Sequence, residues 1–589
     1  MTLRLLPCSV LVAAVVSGQI PVGSAQAGPA GPPNQAGTNA PGQSPTPSEP
    51  PKEQPPASIE GQVLNSVTGE PVKKATLILT PEQRSPDMMT PYSTTTDANG
   101  RFAMSNIGAG NYRLMAERTG YVRSNYGARS ITGPGATLSL APNQALKQIS
   151  FRLQPHAVMS GRILDEDGEP LAYVQVQVLT HRYMQGKKQL MPAGGSSTND
   201  LGEYRIFGLA PGRYYLSATY RPQTMAWQTV DRTAGAGPNQ QEEGYAPTYY
   251  PGSNDSSSAV PIQVTAGRPL TNVDVKLLRT RTLRIRGRVL NMQPPSRTMI
   301  MLMQRESNGF GFFERNMTSV QGREGKFELR GVTPGPYYLI AQYFEDNTTR
   351  YFARIPVDVG SANLDGIEVT VKPGVEVTGT VRVEGETEVN LSQINITLQP
   401  KDFTPFGGGG MSRVKDDGTF TIRNAAPDTY RIGVFGGGEL VYVKSVQAGQ
   451  QEAKNGEVAI VDGAPPALTV VLSAAGGQLS GQVNAPSNSG KPASTQGSTI
   501  VLVPSSDKRE VQQLYKVATT DQNGKYSFKS IAPGEYKLFA WDDVESGAWQ
   551  DAEFLARFEN KGKTIAVKEK DILTADIDLL KAEDTQSGQ

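Results

Sequence analysis

The stretch DANGRFAMSNIGAGNY, residues 97–112, decides the fold, because its pattern returns four more times along the 589-residue chain with the same internal distances. Each copy sets a Gly in a turn rich in polar or charged residues and an aromatic two residues on. A second turn position follows ten residues after the first Gly, and a Tyr two residues beyond that. The first position is held by Gly100, Gly202, Gly325, Gly418 and Gly524, the second by Gly110, Gly212, Gly335, Asp428 and Gly534. The aromatic pairs are Phe102/Tyr112, Tyr204/Tyr214, Phe327/Tyr337, Phe420/Tyr430 and Tyr526/Tyr536.

Glycine takes positive φ where other residues meet a steric cost, so each Gly is expected to mark a tight reversal. Between the reversals apolar and polar residues alternate, as at Tyr526, Phe528 and Ile531, which predicts a half-buried strand. A turn–strand–turn–strand ribbon buries one face only and needs a second sheet to cover it. That sheet is announced upstream by a second recurring mark, a Gly two residues before an aliphatic: Gly61/Val63, Gly161/Ile163, Gly287/Val289, Gly379/Val381 and Gly481/Val483. The first-turn Gly follows this mark by 38 to 43 residues. Runs rich in β-branched and aliphatic residues lie between them at 75–79, 174–179, 299–303 and 499–503. Each copy closes on a further strand-like segment, at 149–153, 273–277, 367–371, 468–472 and 575–579. Six to eight strands in about 100 residues is the size of one β-sandwich. The fold class expected is therefore all-β, a tandem array of about five small antiparallel β-sandwich modules.

The modules are expected at 58–153, 154–279, 280–373, 374–473 and 474–580, with a polar tail at 581–589. Ahead of them, residues 1–27 combine Arg4, an apolar run over 5–16 and the small pair Ala25 and Ala27, which reads as a cleaved secretory signal. The apolar run is too short to span a bilayer core of roughly 30 Å. Residues 28–57 hold ten prolines and no Leu, Ile, Val, Phe, Tyr or Trp, so a disordered, extended linker is expected there. The joints between modules are short, which predicts a semi-rigid rod of beads.

With 62 Gly and 43 Pro the chain has many turns, and 37% hydrophobic residues suffice for several small cores. Balanced charge, 57 basic against 56 acidic residues, gives no footprint for nucleic acid or an anionic membrane surface. No second apolar stretch is long enough to cross a membrane. The only cysteine, Cys8, lies in the signal segment, so disulfides, a cysteine nucleophile and thiolate metal sites are not expected in the mature chain.

The modules resemble the carboxypeptidase regulatory-like domains of bacterial type, small prealbumin-like sandwiches of the carbohydrate-binding-like fold. The resemblance is carried by the Gly-x-aliphatic opening, by the GEP turns at 69–71 and 168–170, by the TTDxNGx-aromatic segments at 95–102 and 519–526, and by APGxY at 210–214 and 532–536. It covers most of residues 59–580 and is strongest in the first, second and fifth modules. It implies non-catalytic modules, which in that family attach to peptidases, outer-membrane transporters and bacterial surface proteins. This chain has neither a zinc-peptidase set of His and Glu nor a plug and barrel after the modules, so a stand-alone array is implied.

Little in the residues points to an enzyme. His156 and His181 are the only histidines, whereas a zinc site normally draws on three or four ligands, with His or Cys prominent. No cofactor, metal or catalytic residue is expected. The turns at 97–100, 165–168 and 521–524 carry oxygen ligands before a Gly, as calcium loops do. No bidentate Glu follows at loop spacing, and Asx side chains cap such turns without an ion. The glycines at 407–410 precede no Lys-Ser/Thr, so a phosphate loop is not expected.

The large aromatics give the remaining signal, because all three tryptophans follow a module's Tyr-marked strand. Trp227, Tyr245, Tyr249 and Tyr250 fall in a long polar insertion of the second module; Trp541 and Trp549 stand beside Asp542, Asp543 and Glu545 in the fifth. Aromatics flanked by carboxylates suit the apolar faces and hydroxyls of sugar rings. The opposing reading folds them back as lids over their own sandwich, which the helical spacing of Trp549, Phe554 and Phe558 favours. The function expected is binding or structural spacing by an exported, non-enzymatic protein in the periplasm, at the cell surface or outside the cell. Candidate partners are a polysaccharide or an envelope protein, and a hydrolase ranks last.

Overall fold

The Gly-x-aliphatic mark sits in the opening strand of every sandwich and brings the later marks to it. In the first, Ala57–Asn65 pairs antiparallel with Arg101–Ile107 and parallel with Ala145–Leu153. The same three-way pairing recurs around Ala157–Leu164, Arg279–Leu290, Val375–Glu384 and Gly477–Asn484. Because first and last strands run parallel, the chain leaves each sandwich at the end opposite its entry, and a short joint carries it into the next.

The structure is a computed structural model. It describes residues 55–581 apart from 83–90, 132, 221–241, 293–297, 306–315, 321, 346–348, 386–387, 402–408, 438–440, 462, 464 and 486–493. The expected signal peptide, nearly all of the expected linker, Trp227, Gly407 and the tail beyond Lys581 lie outside the described residues. Among the described residues the strands form ten sheets, two to each of five sandwiches.

In the covering sheet of the first sandwich, Thr76–Pro81 runs between Tyr92–Thr95 and Gly110–Glu117. Alternation sets the core: Arg101–Ile107 buries Phe102, Met104 and Ile107 and turns Arg101, Ala103 and Ser105 outward. Each sandwich closes on its own cluster of buried side chains, centred for example on Ile59, Leu77 and Tyr112 in the first and on Val377, Phe420 and Tyr430 in the fourth.

The fifth sandwich carries a second apolar layer. Thr499–Pro504 is buried along its whole length, with Ile500 and Leu502 facing the inner core and Val501 and Val503 the other side. That outer face is roofed by a helical insert containing Ala548–Gln550 and Ala552–Ala556, which lays Trp549, Phe554, Leu555 and Phe558 over Phe539 and Trp541.

An open row of beads is not what forms. Gln54–Gln589 is one compact unit, and within it the fifth sandwich meets the first and second as well as the fourth. Short joints constrain only neighbours in sequence; these additional contacts come from loops that no repeat mark announces.

Candidate functional site

The repeated marks prove to be internal fittings. Gly61, Gly161, Gly287, Gly379 and Gly481 stand directly opposite Phe102, Tyr204, Phe327, Phe420 and Tyr526 across the ladder. A Cβ at these glycines would lie 1.8 to 2.6 Å from a main-chain carbonyl oxygen of the parallel strand or the segment leading into it. Where the aromatic is Tyr, its hydroxyl donates to that same carbonyl: Tyr204 to Val273 at 2.7 Å and Tyr526 to Ala575 at 2.5 Å.

The second Tyr of each copy is buried and donates to the carbonyl four residues before it. The acceptors are Gly108, Ala210, Thr333, Ala426 and Ala532, at 2.7 to 2.9 Å. This is the hydrogen bond of a tyrosine corner, pinning the start of the strand to the turn ahead of it. The expected second reversal takes a different form. Gly110, Gly212, Gly335 and Gly534 keep a positive φ, 153 to 159°, but each opens a strand. Asp428 fills the same place in the fourth copy.

The first-turn glycines do take positive φ, 68 to 82°. The turn carboxylates weighed for calcium serve as caps: Asp97 Oδ1 accepts from the amides of Asn99 and Arg101, Asp165 from Asp167 and Glu169, and Asp521 from Asn523 and Lys525. The preceding Thr96 is buried, accepting from the Ala75 amide and donating to the Val72 carbonyl; Thr198 and Thr520 repeat the arrangement.

The six aromatic candidates separate. Trp541 and Trp549 correct the sugar-face expectation, being 0% and 6% exposed, and Trp549 lies with Phe554 and Phe558 in the lid that their helical spacing favours. Trp541 is the last residue of the strand Gly534–Trp541 and stacks on Phe539 at 5.0 Å, with Phe558 edge-on at 5.7 Å. The acidic residues beside it face other sandwiches. Asp542 pairs with Arg129 of the first at 3.0 Å and Asp543 is hydrogen-bonded to Ser130, while Glu545 lies near Lys188 and Arg182 of the second. Burial holds Asp543 and Glu545 above the usual carboxylate range.

Tyr245, Tyr249 and Tyr250 are all half-buried, and Tyr245 and Tyr250 pack against the second core. Tyr245 belongs to a joint: Glu242–Tyr245 pairs with the opening strand of the third sandwich, and its hydroxyl bridges Arg279 and Glu166 at 3.3 Å each. Burial pushes that hydroxyl up while Arg279 draws it back. Its ring meets Tyr220 edge-on at 5.2 Å. Tyr249 pairs with Ser217 in the sheet, and the Tyr250 amide donates to the Leu216 carbonyl.

His156 and His181 lie in different surroundings, one in the joint after the first sandwich and one edge-on to Tyr215 at 4.9 Å. Burial lowers both below the ordinary imidazole value. Among the described residues no group of three or more His, Cys, Asp or Glu is placed to hold a metal ion, and no helix is long and apolar enough to cross a membrane.

The family described as carboxypeptidase regulatory-like domain matches residues 58–154 and 158–241, the first sandwich and much of the second. The match covers two repeats and agrees with a tandem array of such domains. No curated protein matches the chain. Among solved structures, the Bacillus anthracis TIE protein is 13% identical over 54% of this chain and 51% of its own, with a TM-score of 0.16. The chain thus spans about half the length of that protein. GBS52, the minor pilin of Streptococcus agalactiae, is 13% identical over 38% of this chain and 96% of its own, at 0.22. The shaft pilin SpaA from Lactobacillus rhamnosus GG is 10% identical over 38% and 98%, at 0.18. Scores this low carry no argument about what the chain does.

Proposed function

We propose that this chain is an exported, non-catalytic scaffold that works by binding or by structural spacing at the cell envelope or outside it. One observation carries the reading: the residues that recur in every copy are engaged inside their own sandwich, as close-packed glycine–aromatic pairs and tyrosine corners. Marks buried in this way serve the architecture of each sandwich. Export rests on the apolar and small-residue pattern of residues 1–27. The partner that fits is another protein, met along sandwich edges such as Met411–Arg413, an outer strand of its sheet on which Met411 is 68% exposed.

A polysaccharide ligand is the second reading, and it rests on Tyr249 and Tyr250, two neighbouring tyrosines that stay partly exposed. Affinity electrophoresis of the Tyr249→Ala/Tyr250→Ala variant against plant and bacterial polysaccharides, run beside its melting curve, separates the two. The scaffold reading expects no polysaccharide retention in either protein and a lower melting temperature in the variant. Retention that the substitutions abolish at unchanged melting temperature replaces it with the carbohydrate reading, and glycan cleavage by the parent protein overturns the non-catalytic assignment.

A further inference from the structure

Two features that depart from the repeat touch each other. The second sandwich has an extended hairpin, Val174–Met184 with Lys187–Ser197, that turns at Gln185 and Gly186. The fifth has the helical insert over its outer face. Tyr183 at the hairpin tip joins the cluster beneath that insert, edge-on to Phe554 at 6.3 Å. Glycine on each side permits the approach: a Cβ on Gly186 would lie 2.6 Å from the Gln550 carbonyl oxygen, and one on Gly547 3.1 Å from the Tyr183 Cβ.

Beside this contact the first sandwich grips the same corner. The Arg129 guanidinium donates to the carbonyls of Gln496 and Ser494 and pairs with Asp542. Gln522 reads the Ser139 main chain in both directions, accepting from its amide at 3.1 Å and donating to its carbonyl at 2.8 Å. Thr137 and Asp521 form a parallel bridge. Side-chain contacts matched to main-chain groups on both faces make a built seat, joining residues more than 360 positions apart.

We propose that the 542–554 segment, together with the neighbouring residues 494–496 and 521–522, is an internal clasp, which holds the Arg129 loop of the first sandwich and the Tyr183 hairpin tip of the second and releases them under tension, so that the chain lengthens without unfolding a sandwich. The clasp consists of a few charged and polar contacts, one isolated main-chain bridge and one aromatic tip, whereas each sandwich is held by a full core and paired ladders. Partly exposed polar contacts are weak beside a buried core, so the clasp opens first. Its loss exposes little apolar surface, because Trp541, Phe539 and Phe558 stay under their own insert. Closure is therefore reversible. The inference extends the scaffold reading to a spacer of two lengths, but it stands on these contacts alone.

Single-molecule stretching of the chain from residue 55 to residue 581 tests it, with Arg129→Glu/Tyr183→Ala as the comparison. The parent protein is expected to show a reversible extension below the forces that unfold the sandwiches, followed by the sandwich unfolding events. The variant is expected to lose the early extension and keep the unfolding events, which report that its sandwiches remain folded. If those events are disturbed, the milder Gln522→Ala/Arg129→Ala pair takes its place, with a lowered early force expected. Absence of the early extension in the parent, or its persistence at unchanged force in variants with intact sandwiches, overturns the proposal.

Discussion

Gly481 stands directly opposite Tyr526 in the opening ladder of the fifth sandwich, and a Cβ there would lie 1.8 Å from the Ala575 carbonyl oxygen that accepts the Tyr526 hydroxyl. The neighbour is main chain, so no side-chain rotation relieves the clash. Gly481→Ala is expected to destabilise the fifth sandwich by about 3 kcal/mol, the upper range for overpacking. Gly69 has open space around it and only a positive φ, so Gly69→Ala should cost about 1 kcal/mol. Urea unfolding of the two variants checks the order; equal costs would remove the steric account of the Gly-x-aliphatic mark.

The tyrosine corner divides into ring and hydroxyl. Tyr430 is fully buried and donates at 2.7 Å to the Ala426 carbonyl, itself in a buried residue. Tyr430→Phe leaves that oxygen without this donor and is expected to cost about 1 to 3 kcal/mol. Tyr430→Ala also opens a cavity and should cost about 3 to 5 kcal/mol. Denaturant midpoints of both variants test this, and a Phe variant as stable as the parent would mean that the corner hydrogen bond is idle.

Six residues after each first-turn Gly the strand takes a left-handed residue at a register break: Asn106, Gly208, Gly331, Asn424 and Ser530, with φ of 49 to 77°. Such a bulge favours Gly and tolerates Asn. At exposed Asn106, Ala is expected to cost about 1 kcal/mol and Gly to be neutral or stabilising by a few tenths. Ordinary strand positions give the reverse order. Melting temperatures of Asn106→Gly and Asn106→Ala decide, and a less stable Gly variant would contradict the bulge.

The sequence pattern carried the sandwiches themselves because their constraints are local and repeated. Gly100 needs its positive φ, Phe102 and Tyr112 need their burial, and the spacing between them is a strand length. The bulge leaves a weaker trace, the Asn/Gly/Gly/Asn/Ser series, because a single left-handed residue inside a strand carries no turn signature around it. The lid over the fifth sandwich is legible in the helical spacing of Trp549, Phe554 and Phe558, whereas the acidic neighbours of Trp541 suggest a wet surface that it does not have. Asp542 and Asp543 instead face Arg129 and Ser130 of another sandwich, and Trp541 lies beneath the insert. Contacts such as Ser139 with Gln522 occur once, between distant residues, and leave no period to find.

Alkaline stability should follow the buried phenols. Burial, helped by Tyr92 and Tyr442 respectively, pushes the Tyr112 and Tyr536 hydroxyls up to about 12. An unfolded tyrosine ionises near 10, so the folded state holds the proton to higher pH than the unfolded chain. The stability that these groups contribute is full below pH 10 and is lost as the pH rises towards 12. Ultraviolet titration followed alongside circular dichroism should show a late class of phenols ionising together with loss of structure. Complete ionisation near pH 10 in a folded protein would contradict the burial.

The central claim, that the recurring residues hold separate cores, is tested most directly by hydrogen exchange on the Tyr337→Ala variant. Tyr337 anchors the third sandwich, which takes no part in the contacts of the 542–554 corner described above. Removing it should cost about 3 to 5 kcal/mol there. Amides across 283–371 are expected to exchange faster by the corresponding factor, while those of 57–153 and 479–579 keep the parent rates. Unchanged exchange in the third sandwich, or an equal loss of protection through all five, would contradict the account.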